Sequence, residues 1–330
     1  MPRRSILSAA ERDSLLVMPD TREELIRRYT LSETDLAIIR QHRGSANRLG
    51  FAVQLCYMRY PAVMLGPDDM PFLPLLHLVA EQLKIEPKEW NDYGQRDKTR
   101  REHLVELQTV FNFQSFTIAH YRPAVHGLDD LAWQTDKGIV LALELVESLR
   151  RKNVLLPSVN VIERICAEAI TRANRRIYEA LTDSLTVFQF RNLDKLFTRK
   201  TDSNITWLAW LRLSPSKPNS RHMLEHIKRL KAWQALSLPA GIERGVHQNR
   251  LLKIAREGGQ MTPADLAKFE VKRRYATMVA LAVEGMATVT DEIIDLHERI
   301  MGKLFNTARN KHQQQFQASG KVVSDNYLGR

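Results

Sequence analysis

An all-α, multi-domain protein is the fold class the sequence predicts, on three observations. Apolar residues recur at helical spacing through most of the chain, and alternating strand-like runs are nearly absent. Short segments carry paired start signals, a Ser or Thr cap followed by acidic residues in the first turn. At 330 residues the chain exceeds one average domain, length alone allows two or three, and three parts are expected: 1–127, 128–239 and 240–330.

Taken in order, Thr21 caps a predicted helix reaching Arg28, with Glu23 and Glu24 in its first turn. Ser32 caps the next, to about Arg40, and the turn His42–Arg43–Gly44 leads to a helix capped by Ser45 that runs toward Pro61. Two short helices joined by a glycine-containing turn form a helix-turn-helix-like pattern. Further helices are expected at 72–84, 87–93, from the basic stretch QRDKTRREHLVELQTVF, at 128–135 and at 139–152. Ser158 caps a long one to Leu181, with Glu163, Arg172, Arg175 and Arg176 on its wet side. Pieces at 193–197 and 207–213 precede the loop SPSKPNS, and Ser220 caps RHMLEHIKRLKAW. REGGQ at 256–260 reads as a turn, and Thr262 with Pro263 opens a new helix. Two separate helices, 271–284 and 290–312, are expected to follow.

The net charge of +11 suggests an anionic partner, most often nucleic acid, and a ribosome-associated, RNA-binding or membrane-surface protein would show the same excess. Cys56 and Cys166 sit in apolar helical patterns and read as buried thiols of a reducing compartment. No apolar run approaches the roughly 20 residues of a membrane span, so a soluble, cytoplasmic protein without membrane partners is expected. His222 and His226, four apart, lack a third ligand and the zincin order, and Arg221 with Glu225 reads as a helical salt pair. Asp129, Asp130, Asp291 and Glu292 fall at predicted helix starts, where capping explains them. No glycine-rich phosphate loop, serine elbow or converging carboxylate set is present, so neither cofactor nor metal is expected.

Within RGSANRLGFAVQLCYMRYP, Leu49, Ala52, Val53, Cys56 and Tyr60 form an apolar stripe that Phe51, Leu55 and Met58 widen. Asn47, Gly50, Gln54 and Tyr57 are left as a narrow solvent strip. Arg43, Ser45 and Arg48 gather at the helix N-terminus, whose unpaired N–H groups suit an anion. Two readings stand: a well-capped core helix, or a phosphate grip. Basic clusters recur elsewhere, including Arg96–Lys98–Arg100–Arg101, Arg150–Arg151–Lys152 and Lys272–Arg273–Arg274, as on an extended track along a duplex.

The segments HRGSANRLGFAVQLCYMRYP, REHLVELQTVFNFQSFT, WLAWLRLSPSKPNSRHMLEHIKRLKAW, QNRLLKIAREGGQMTPADLAKFEVKRRYATMVAL and TDEIIDLHERIMGKLF resemble, in unbroken order to about Gly320, one family. It is the N-terminal region of the Tn-three family of replicative transposases, especially the mercury-resistance branch. The resemblance implies helical domains that grip the terminal inverted repeats of a transposon, with double-stranded DNA as the partner. In the family a later ribonuclease-H-like domain with an Asp-Asp-Glu set cuts and joins strands. This chain is expected to be truncated before it, its tail VVSDNYLGR departing from the family's helical linker. With the resemblance, Arg43 and Arg48 become candidates for phosphate contact beside Ser45, and Asn47 and Gln54 for base edges. Arg100 and Arg101, and Lys217, Ser220 and Arg221 at the head of another helix, complete the candidate DNA-binding set. The alternative is a helical interaction fragment that assembles with, or inhibits, the full-length transposase.

Overall fold

The computed structural model describes residues 5–66, 69–94, 97–201, 203–213 and 219–328. Among these the regular structure is helical throughout, and the only strand-type pairings are the isolated bridges Gln114–Val154 and Arg199–Thr206. The chain forms two compact units, Met1–Ala173 and Asn174–Arg330.

In the first unit, α1 (Ala9–Ser14), α2 (Arg22–Tyr29) and α3 (Glu33–Arg40) precede α4 (Ser45–Arg59) and α5 (Leu73–Leu83). A 3₁₀ turn, Pro87–Asp92, leads to α6 (Asp97–Val110), α7 (Ile118–Gly127), α8 (Asp129–Gln134), α9 (Gly138–Arg151) and the start of α10 (Val159–Thr182). Thr21 and Ser32 accept from the third backbone N–H of α2 and α3, as the sequence signals require.

One core surrounds α4, where Phe51, Leu55 and Met58 pack with Tyr29, Ile39, Leu75, Val79 and Leu107. A second joins α9 to α10 through Leu141, Leu145, Ile162, Ile165 and Cys166. Cys56 and Cys166 are buried free thiols, and burial pushes both up to about 12, so neither is a nucleophile at neutral pH. Glu163, expected on the wet side of α10, is buried instead. It accepts from Ser5 Oγ (2.6 Å) and the backbone N–H of Leu7 (3.2 Å) and pairs with Arg12, fastening the N-terminal segment.

The second unit holds α11 (Val187–Lys195), α12 (Trp207–Leu211), α13 (Ser220–Gln234), a 3₁₀ turn at Ile242–Gly245, α14 (Gln248–Gln260), α15 (Pro263–Ala267) and α16 (Val271–Leu328). α13 and α14 both pack on α16. REGGQ is the last turn of α14 rather than a turn between elements, because a Cβ at Gly258 would lie 2.4 Å from Thr277 of α16. The two helices expected at 271–312 are one. Gly285, the apparent break, is where the Trp233 indole of α13 approaches to 2.8 Å of the Cβ an alanine would carry. Asp291 and Glu292 consequently lie inside α16, not at a helix start. The helical backbone also continues through VVSDNYL to Leu328, against the expected departure of the tail from a helical linker.

Candidate nucleic-acid interface

The head of α4 is built by a turn that only glycine adopts easily. Gly44 is the N-cap at φ 82°, with no side-chain cap, so Ser45 is the first helical residue and not the cap the sequence suggests. The Ser45 hydroxyl donates to a carboxylate oxygen of Glu89, which therefore occupies the positive end of the helix. Asn47 Nδ2 donates to the carbonyl of Arg43 (3.0 Å), and Arg48 Nε donates to that of His42 (2.8 Å). Two candidate contacts thus brace the turn from within, while the Arg43 side chain is exposed.

Behind the turn, the His42 ring lies 4.1 Å from that of Phe51 and 4.5 Å from that of His103, with Glu106 at 3.6 Å from its Nε2. Burial lowers the His42 pKa; Arg48 adds to this and Glu106 opposes it. His103, 3.3 Å from the Tyr93 hydroxyl, is held down to about 4 by burial and then by His42. The turn therefore rests on a neutral aromatic cluster at pH 7.

Beyond its first turn α4 has no wet strip. Gly50, Gln54 and Tyr57 are buried with the apolar stripe. A Cβ on Gly50 would stand 2.0 Å from the Tyr93 ring, and the Tyr57 hydroxyl accepts from the backbone N–H of Phe72 at 2.7 Å. Gln54, expected to reach base edges, is fully buried; its amide exchanges two 3.3 Å hydrogen bonds with the backbone of Leu65. Arg100 is likewise buried, donating to the carbonyls of Leu65 (2.7 Å) and Gly66. Both side chains satisfy loop backbone that no helix pairs, which removes them from any DNA contact. A helix covered along this length cannot lie in a groove as a recognition helix does, so only its head can face DNA.

Arg101 is exposed on α6. In the second unit, Asn219 rather than Ser220 caps α13, accepting from His222 N–H at 2.9 Å. Ser220 and Arg221 are exposed at that head, and Lys217 and the loop 214–218 lie outside the described residues. Glu225 pairs with Lys228 (2.9 Å), not with Arg221 as expected. Sequence reading missed Arg40, exposed in the last turn of α3 and three residues before Arg43. Its signal was available: the outward position of a helix that ends at the candidate turn.

His226 is buried and its Nδ1 lies 3.3 Å from Glu292 Oε2 across α13 and α16. Burial lowers the histidine and raises the carboxyl, which suits a packed pair more than a metal site. Among the described residues no three His, Cys, Asp or Glu side chains converge to hold a metal. None of the described helices is long and apolar enough to cross a membrane.

Comparison with known proteins places this architecture. Residues 6–169 match the family described as Domain of unknown function (DUF4158). Over 98% of its length the chain is 73% identical to the transposase for transposon Tn3926 and 70% identical to that for transposon Tn21, both of Escherichia coli. It is 55% identical to the transposase for transposon Tn501 of Pseudomonas aeruginosa, again over 98% of the chain. The chain spans about a third of the length of these relatives, 33% in each case. Identity of this level over 98% of the chain is homology, and the chain belongs to the Tn-three family of transposases.

Proposed function

We propose that this chain binds the DNA at transposon ends in a sequence-specific manner and that strand cleavage is not performed by this segment. The observation that carries the reading is the 73% identity, across nearly the whole chain, to a transposase named for its transposon. The charge of +11 supports it, since duplex DNA rewards a basic surface through counterion release. Both compact units contribute in this reading, each through an exposed helix head. Arg40 and Arg43 approach phosphates at the α3–α4 turn, with Arg101 alongside on the same unit, and Ser220 and Arg221 do so at α13. Asn47 and Arg48 act indirectly by holding the turn. Glu89, at the head of α4, steers phosphate toward the arginines and away from the helix axis.

Fluorescence anisotropy with a terminal-repeat duplex and a scrambled duplex of equal length, across a salt series, tests this. The repeat is expected to bind more tightly by about tenfold or more near physiological salt. Arg43→Ala and Arg221→Ala should each weaken both duplexes and reduce the log–log salt slope by about 0.9. Equal, salt-labile binding to both duplexes overturns sequence-specific recognition.

A further inference from the structure

Where α4, α6 and α9 of the first unit end, they enclose a crevice of about 250 Å³. Met58 and Arg59 come from the last turn of α4, Phe111 and Phe113 follow α6, and Arg150 and Asn153 lie at the end of α9. Both arginines are held in place. Arg59 grips the buried Asp35 with its two terminal nitrogens, at 2.7 and 2.9 Å, and lies 5.3 Å from the centre of the Phe111 ring. Arg150 donates through Nε and Nη2 to the carbonyl of Pro61, at 3.2 and 3.1 Å, and through Nη1 to Glu147 at 2.7 Å. The Asn153 backbone is paired on both sides, with the Arg150 carbonyl at 3.0 Å and the Gln114 N–H at 2.9 Å. Its side-chain amide makes no hydrogen bond among the described residues.

The crevice is polar without a surplus of charge. Each guanidinium already faces a carboxylate, Asp35 or Glu147, and three helix C-termini bring the negative ends of their dipoles to the same place. A phosphate is therefore a poor occupant. The walls instead offer two aromatic rings, a thioether, guanidinium N–H groups beyond those given to Asp35, and an amide that both donates and accepts. A neutral, planar heterocycle with donors and acceptors along its edge uses all of these. The volume lies below the roughly 300–1,000 Å³ of sites for drug-sized ligands, so one ring system enters and a whole nucleotide does not.

We infer that this crevice receives a single unstacked nucleobase, set against Phe111 and Phe113 with its edge on the Asn153 amide and the Arg59 guanidinium. Two sources share that chemistry, a free nucleoside and a base extruded from DNA. The crevice lies at the far end of α4 from the α3–α4 turn, about 21 Å along the helix, so a DNA base held here is a contact separate from Arg40 and Arg43. The nucleobase assignment stands on the crevice alone; its supply by DNA rests on the DNA binding proposed above.

Two measurements on the whole chain test it: saturation-transfer NMR with adenosine, and anisotropy with a terminal-repeat duplex that is either perfect or carries one bulged adenine. Asn153 stands at φ 54°, which glycine adopts freely, so Asn153→Gly removes the amide and keeps the backbone. Phe113→Leu removes a ring. Adenosine is expected to receive saturation from the wild type and not from either variant. The bulged duplex should bind about tenfold more tightly than the perfect one, and both variants should lose that gain while binding the perfect duplex as before. A variant-sensitive gain without adenosine binding assigns the crevice to DNA, and adenosine binding without the gain overturns DNA as the source. Neither signal, or a gain that survives both variants and so reflects duplex flexibility alone, overturns the site. Failure of every duplex to bind counts against the proposed function, and adenosine then decides the crevice by itself.

Discussion

α4 and the far half of α16 are both long helices, yet one is covered on every side and the other stands in solvent. From Leu49 to Met58 each residue of α4 is buried, polar and apolar alike, and from Met301 to Ala318 each residue of α16 is exposed. The difference is not one of helix propensity. It follows from which glycines and polar side chains find neighbours. Gly50 receives the Tyr93 ring and Gln54 receives the Leu65 backbone, whereas a Cβ on Gly302 would meet nothing within 4 Å. A central helix leaves only its end open to solvent; a projecting one leaves its whole face open.

The largest effect expected is at Gly50. Gly50→Ala places a methyl 2.0 Å from a buried ring that is itself stacked at 5.7 Å on His103, so the ring cannot swing aside without opening the core. A loss of about 3 kcal/mol or more is expected, read as a fall in the denaturant midpoint of the first unit. Stability within a few tenths of wild type would show that the 3₁₀ turn carrying Tyr93 is loosely held, and the contrast with α16 would lose its cause.

A smaller effect comes from pH. His103 titrates at about 4 in the fold and near 6.5 when unfolded, so the unfolded chain binds the extra proton between those values. Stability of the first unit is therefore full above pH ~6.5, falls as the pH drops toward 4, and changes no further from this group below that. His42, lowered by burial in the same cluster, adds in the same direction. About 2 kcal/mol should be lost between pH 7 and pH 4.5, and His103→Gln should flatten that slope. An unchanged slope in the variant would mean that His103 is solvated and that the turn bearing Arg43 has no such support.

Local signals in this chain were legible because they act over three or four residues. Thr21, Ser32 and Thr262 with Pro263 fix helix starts by hydrogen bonds to their own backbone, and all three stand where the sequence puts them. What was not legible depends on residues distant in sequence. Nothing near Gln54 announces that its amide will pair with Leu65, and nothing near Glu163 announces Leu7. Gly285 looks like a helix break until Trp233 is seen to need its missing Cβ. Of the candidate interface, the turn itself was readable from Arg43 to Arg48. The division of labour within it was not, since bracing and exposure by the same residue types differ only in three dimensions.

The smallest effect is the sharpest test of solvent exposure in α16. Gly302 lies in the interior of the helix, where glycine is less favourable than alanine by about 1 kcal/mol because its unfolded backbone is freer. On a bare helix that difference is recovered in full, since the new methyl displaces nothing. Gly302→Ala should therefore raise hydrogen-exchange protection of the surrounding amides by about fivefold. The amides of α4 should not respond. Were protection to fall instead, the methyl must strike a packed neighbour, and the far half of α16 would be a covered helix like α4 rather than its opposite.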